Sequence, residues 1–424
     1  MAVLLTVYTL MMLVVAVIAS TTLVWMLHAW RTPDALAATG FAGGRRSPRF
    51  SFSLIVPARH EQAVLERTLR RLLEQTHPTF EIICVVGHDD PETEAIARQV
   101  AESSSRLFVA VDHAPVKNKP KALNTALAAC RGDVVGVFDA EDDVHPELLE
   151  RVDACFSDTG ADIVQGGVQL MDFDSSWYSL RNVLEYYFWF RSRLHFHAEQ
   201  RFIPLGGNTV FIRSDLIRAN GGWDPECLAE DCELGVRLSA QGARTVVAYD
   251  PAVATREETP GSIPDLVRQR TRWNQGFLQV LRKGEWKRLP PRQRLLGAYT
   301  LAMPFGQALI GLLVPLAFLT MVFMKAPVLV TMIAFIPLVP ALVTLVVETV
   351  ALGEFCRDYG MRARLRDYAR LILGTLPYQV LLSWAALRAV WRDLTGRHNW
   401  EKTAHAGNHI GRGAPVPTEG LESA

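Results

Sequence analysis

The chain has 424 residues, enough for two domains or for one large domain with a membrane part. Lysine plus arginine equals aspartate plus glutamate at 44 each, which argues against a general nucleic-acid binder. Hydrophobic residues make up 49% and cluster in the first thirty positions and between about 295 and 390, leaving an ordinary soluble composition between them.

Val3 to His28 is almost wholly apolar and long enough to cross a bilayer. No Lys or Arg precedes it, and it exceeds a usual signal core, so it reads as an uncleaved helix. Arg31, Arg45, Arg46 and Arg49 follow, which puts the N-terminus outside and the next segment in the cytosol. From Phe52 to about Val247 short apolar runs alternate with amphipathic ones. Strands are expected at 53–56, 81–86, 107–111 and 134–138, with helices at 61–75, 93–103 and 121–129. That alternation predicts a mainly parallel sheet with helices on both faces and ligands beyond the carboxyl ends of its strands. The aromatic-rich segment Trp177 to His197 suggests a helix at the bilayer interface, with a core helix as the alternative. Further spans are expected from about Gly297 to Met324 and from Val328 to Leu352, joined at Lys325-Ala326-Pro327. The arginines at 357, 362, 364, 366 and 370 mark the loop after them as cytosolic. Leu371 to Leu387 is short, contains Pro377 and has basic flanks, so it reads as an interfacial or re-entrant helix. The tail from Gly407 is rich in Gly and Pro and is expected to be disordered. Six scattered cysteines form no C-x-x-C pair, which suits a reduced compartment.

Five groups carry chemistry. Asp139-Ala140-Glu141-Asp142-Asp143 follows a buried strand; its acids make sense around a divalent cation, and a solvated helix-capping loop is the plain alternative. Glu230-Asp231 opens a helix, where capping competes with a catalytic pair in which one acid raises the pKa of the other. Gln269-Arg270-Thr271-Arg272-Trp273 offers arginines for phosphate and a flat ring for a sugar, or an interfacial helix. Lys117 to Asn124, with Lys119 and Lys121, opens a helix and reads as a phosphate site or a solvated basic turn. Gly206-Gly207-Asn208 allows close backbone approach to a ligand, or marks a turn. A dinucleotide fold would need G-x-G-x-x-G where the chain has Pro57-Ala58-Arg59-His60-Glu61, and no Walker A loop is present, which argues against an ATP-driven transporter.

In this order the motifs resemble the inverting, processive-type glycosyltransferases of family 2, such as cellulose synthase and hyaluronan synthase. The resemblance runs from about 50 to 405 and rests on Pro57 to Glu61, Asp89-Asp90, Asp139 to Asp142, Glu230-Asp231, Gln269 to Trp273 and Trp400-Glu401-Lys402-Thr403. It implies an α/β fold of the GT-A type, mainly parallel and Rossmann-like, plus transmembrane helices. The expected division is a transmembrane helix at 1–30, a cytosolic catalytic domain at 50–290, transmembrane or interfacial helices at 295–392 and a cytosolic tail at 393–424. It further implies Asp231 as general base beside Glu230, and Mg²⁺ or Mn²⁺ held by Asp139 with Glu141 or Asp142. Donor contacts would come from Pro57, Glu61, Asp89, Asp90, Lys119, Lys121, Asp139, Gln269, Arg270 and Arg272. Acceptor contacts would come from Gly206, Gly207, Asn208 and Trp273. The expected activity is transfer of a sugar from a nucleotide-sugar donor to a growing polysaccharide at the plasma membrane, with room for accessory subunits. A nonprocessive transfer to a lipid acceptor and a non-catalytic membrane scaffold are the rivals. Four departures stand out: Asp139-Ala140-Glu141 replaces a plain D-x-D, Gly87-His88-Asp89-Asp90 stands where D-D-G is usual and leaves open which aspartate faces the nucleotide base, Ala229 replaces the usual Thr, and the membrane part is smaller than in cellulose synthase.

Overall fold

The computed structural model describes residues 2–31, 47–323, 327–397, 399–401, 407 and 409. Arg45, Arg46, the Lys325-Ala326 connection, Lys402, Thr403 and nearly all of the tail lie outside the described residues. The chain opens with α1 (Ala2–Leu27), which ends in a 3₁₀ turn at His28–Arg31.

The strands β1 (Phe52–Ala58), β2 (Phe80–Gly87), β3 (Leu107–Asp112) and β4 (Val134–Val137) run parallel. They alternate with α2 (Leu65–Leu73), α3 (Pro91–Ala101) and α4 (Lys119–Leu127). On β1, Leu54 and Val56 face one apolar layer and Ile55 the other, and all three are fully buried. A strand covered on both faces needs such a continuous apolar run. α5 (Leu148–Thr159) ends at Gly160, whose φ of 61° suits glycine. The strands β5 (Ile163–Gly166) and β6 (Val168–Leu170) follow. Next come α6 (Ser179–Phe188), a π-helical turn at Trp189–Arg193, and α7 (Leu194–Glu199). β7 (Val210–Arg213), α8 (Ser214–Ala219), α9 (Glu230–Ala240), β8 (Thr245–Ala248) and β9 (Thr255–Glu257) complete the α/β part. The large sheet has the order β3-β2-β1-β4-β7-β5-β8, with β7 antiparallel to both β4 and β5, and β6 pairs with β9 in a second sheet. The expected mainly parallel α/β sheet is present, with one antiparallel strand, β7, in its interior next to the central β4.

The remainder is helical: α10 (Ile263–Lys283), α11 (Pro291–Phe323), α12 (Val328–Phe335), α13 (Leu338–Asp358) and α14 (Leu365–Leu394). Among the described residues two stretches are long and apolar enough to cross a membrane, Leu5–Arg31 and Val328–Asp358. The second is divided by a turn at Ile336-Pro337. α14 runs unbroken through Pro377; it packs along α10 and α11 and leaves Leu373, Leu376, Val380 and Trp384 exposed.

The aromatic segment takes its core alternative rather than the interfacial form. Leu180, Val183, Leu184, Tyr187 and Phe190 are buried in one core with Val347, Ala351 and Phe355 of α13 and Leu371 of α14. The Arg181 guanidinium forks onto Glu348 of α13 at 3.0 and 2.8 Å, and Arg191 bonds Asp358 at 3.0 Å. Paired charges are what let this junction close without stranding an ion.

Candidate active site

A cavity of about 1320 Å³ opens at the carboxyl ends of β1, β2 and β4. Pro57, Glu61, Lys119, Asp139, Glu141, Gly206, Gly207, Asn208, Glu230, Asp231, Gln269, Arg270, Arg272 and Trp273 all line it. It continues between the helices to Tyr8, Met12, Val15, Ile18, Phe335, Leu338, Leu345 and Leu376.

β4 delivers the acidic loop. The Asp139 N–H donates to Asp142 Oδ2 at 2.8 Å, and Asn208 Nδ2 donates to Asp142 Oδ1 at 3.1 Å and to Glu257. Asp142 is therefore a buried brace beneath the loop and is absent from the cavity lining, which leaves Asp139 and Glu141 as the pair that lines the cavity. Burial, with Glu257, Asp139 and Glu141 close by, pushes the Asp142 carboxyl well above its ordinary range. Glu257 and Glu258 also line the cavity. All of these donors are oxygens, the chemistry that suits Mg²⁺ or Mn²⁺. Lys119 Nζ donates to Asp139 and, at 2.9 Å, to the Gly207 carbonyl. Burial works against its ammonium, yet Asp139, Glu230 and Asp231 together hold its pKa above the usual lysine range.

α9 begins at Glu230, and Ala229 supplies no side-chain cap, so both acids sit at the helix start. Glu230 is buried, whereas Asp231 is half-buried. Burial, reinforced by the Asp231 charge, raises Glu230 to about 7 against the pull of Lys119 and Arg272. Burial also raises Asp231. A Cβ on Gly207 would stand 3.1 Å from Asp231 Oδ2, so the absent side chain is what lets this loop approach the acid.

Ser262 caps α10 by accepting from the Asp265 N–H. Gln269, Arg272, Trp273 and Gly276 then share one face, because residues three and four apart are neighbours on a helix. Gly276 meets Ala229, where an added Cβ would lie 2.3 Å from the alanine Cβ. The Arg272 guanidinium lies 4.3 Å from the centre of the Trp400 ring, which brings the closing motif to the site. The buried atoms Gln269 Oε1 and Arg272 Nε have no hydrogen-bond partner among the described residues. Arg270 is committed elsewhere: it bonds Asn182 and Glu185 and covers the Trp273 ring at 4.6 Å.

Three expected donor residues stand away from the cavity. Asp90 caps α3 by accepting from the Thr93 N–H at 3.3 Å, and it also holds the His60 N–H at 2.5 Å. Asp89 pairs with Arg59 at 2.8 Å, and Lys121 with Glu226 at 3.6 Å. None of the three is in the lining, whereas Gly87, Asp112 and Lys117 are. Pro91 at the first helical position was the available sign that the preceding aspartate is a cap. Glu257 and Glu258 gave no sign in the sequence beyond two adjacent acids.

Residues 48–276 match glycosyltransferase-like family 2, and the chain belongs to that family. YdaM, a probable glycosyltransferase of Bacillus subtilis, is 28% identical over 239 residues, covering 54% of this chain and 56% of the relative. The beta-monoglucosyldiacylglycerol synthase of Synechocystis is 29% identical over 238 residues, covering 53% and 47%. The chain thus matches about half the length of these curated relatives. The mannosyltransferase PcManGT of Pyrobaculum calidifontis, solved with GDP-Man and Mn²⁺, has a TM-score of 0.50 at 18% identity over 90% of this chain and 98% of its own. That likeness shows a shared GT-A fold.

Proposed function

We propose that this protein is a membrane-bound inverting glycosyltransferase that moves a sugar from a nucleotide-sugar donor to the hydroxyl of a lipid acceptor. One observation carries the choice of acceptor: the cavity that holds Asp139 and Asp231 continues into apolar walls built by α1, α12, α13 and α14. A lipid tail can occupy such walls while its polar head reaches the acids. The name of the Synechocystis relative supports the same acceptor class.

In this reading Asp231 takes the proton from the acceptor hydroxyl as it attacks the anomeric carbon, and the nucleotide leaves from the opposite face. Glu230 beside it, raised to about 7 by burial and by the Asp231 charge, can hold a proton near neutrality. Asp139 and Glu141 would hold Mg²⁺ or Mn²⁺, which when bound neutralises charge on the donor diphosphate. Gln269 and Arg272 steady the leaving nucleotide, and Trp273 with Trp400 flanks the acceptor end. The proposed topology has α1 and α11 to α13 in the bilayer, the N-terminus outside and the 50–290 segment in the cytosol. A second reading, extension of a polysaccharide, is supported by Trp273 and Trp400 in the lining, since flat rings of this kind suit sugar stacking.

The test offers purified protein a panel of UDP- and GDP-sugars labelled in the sugar, with Mn²⁺ or Mg²⁺ and a membrane-lipid extract. The expected product is label in the organic phase, lost in Asp231→Asn. Label in a water-soluble polymer would move the assignment to the second reading. Absence of transfer by a folded protein would favour the non-catalytic scaffold.

A further inference from the structure

We propose a zinc-class metal site outside the catalytic cavity, built by His28, His195 and Glu199. His28 stands in the 3₁₀ turn that ends α1, 167 residues before its partner in the catalytic part. His195 and Glu199 are four residues apart on α7, so both project from one face. Nε2 of His28 lies 3.1 Å from Nδ1 of His195. Glu199 turns one oxygen to each ring, at 3.4 Å from His28 and 3.7 Å from His195. Three ligand atoms on a tetrahedral zinc, with bonds of about 2.0–2.1 Å, are separated by about 3.3 Å. The two ring nitrogens are close to that separation, each has a Glu199 oxygen at a similar distance, and one ligand atom from each of the three residues lies within 4.8 Å of the others. Two imidazoles and one carboxylate form a borderline donor set that selects Zn²⁺ over Mg²⁺ or Mn²⁺, unlike the all-oxygen cluster in the cavity.

The surroundings hold the ligands in place. The His28 ring meets the edge of Phe196 at 5.5 Å. Next to it Trp25 is covered by the Arg193 guanidinium at 4.0 Å. The two histidine side chains are 11% and 12% exposed and Glu199 is 49% exposed, so the site is rigid within and open to solvent on one side. A metal here would clamp the end of α1 to the helix that follows the π-helical turn lining the cavity. It would remove chain entropy from a long loop without touching the reacting atoms.

The experiment uses the full chain in detergent, stripped with a chelator, exposed to Zn²⁺ and passed over a desalting column. Metal content, not transfer activity, is read. The wild type and Asp139→Asn should each retain about one zinc per chain. His28→Ala with His195→Ala should retain none, and Glu199→Gln should lose most of it. Co²⁺ in place of Zn²⁺ should give the visible absorption of a four-coordinate ion in the wild type and in Asp139→Asn, and none in the double variant. Because the double variant removes two packed rings, its folding is checked by nucleoside diphosphate binding, and Glu199→Gln alone tests the site with the rings intact. A wild type that retains no zinc, or a folded double variant that retains it, overturns the proposal and leaves a plain imidazole–imidazole hydrogen bond.

Discussion

Gly276→Ala is a test of how the site is held. Gly276 has no part in the chemistry, yet its missing side chain lets α10 lie against the start of α9. A Cβ there would stand 2.3 Å from the Ala229 Cβ, 2.7 Å from its backbone nitrogen and 3.0 Å from its Cα. Backbone atoms cannot rotate aside as a long side chain can. Relaxing to an ordinary carbon–carbon contact of about 3.7 Å requires the helices to part by about 1.4 Å. Arg272 and Trp273 lie one turn away on the same helix, and Glu230 and Asp231 lie beside Ala229, so the separation opens the site itself. A displacement of about 1 Å at a reacting centre costs on the order of 100-fold in rate. Overpacking of this kind costs about 1–3 kcal/mol of stability. The expected outcome is a kcat lowered about 100-fold in a protein that still folds but melts earlier. The assay is nucleoside diphosphate release at saturating donor, with a melting curve on the same sample. Gly261→Ala, where an added Cβ meets nothing within 4 Å, is the control. A folded Gly276→Ala protein with nearly wild-type kcat would refute the claim that this contact sets the geometry.

Three other outcomes are expected. Asp231→Asn should lower turnover by roughly 10²–10⁴ while leaving donor affinity, read by calorimetry, nearly unchanged. Asp231 must be ionised to accept a proton and burial raises its pKa, so kcat/KM should fall as pH drops through a limb above the ordinary aspartate value of about 3.9. Glu230→Gln removes the neighbouring acid but not the burial that raises Asp231, so it should keep that limb; a limb at the ordinary value would contradict the burial argument. Asp142→Asn should keep most of its Mn²⁺-dependent activity, because the carboxyl is a buried brace outside the cavity lining, whereas Asp139→Asn should lose it; equal losses would return Asp142 to the list of ligands.

β1, β2 and β4 were legible because each is covered on both faces and carries a continuous apolar run, and β3, although an edge strand with Phe108 exposed, keeps the same apolar composition. The acids after β4, the pair at the start of α9 and the α10 motif were legible because short-range spacing put them at strand and helix ends. What escaped depended on distant partners. β7 enters the sheet between β4 and β5 against chain order, and nothing local announces an antiparallel strand there. Asp90 resembles a ligand until its Thr93 and His60 bonds are seen. The aromatic α6 segment reads as interfacial because the helices that bury it come much later in the chain. Glu257 reaches the cavity only through the pairing of β6 with β9.

The Arg181–Glu348 bridge and the core around it bear on how the chain can be divided. The boundary near residue 290 is a convenience of composition, not a mechanical joint. Phe355 and Leu352, which follow that boundary, are as deep in the core as Val183, which precedes it. A soluble fragment ending at 290 would bare that apolar face and leave the arginine without its counter-ion. The segment before 290 is therefore expected to need the helices after it as a folding template, so chimeras that exchange those helices between relatives should be cut within loops that spare both sides of this core.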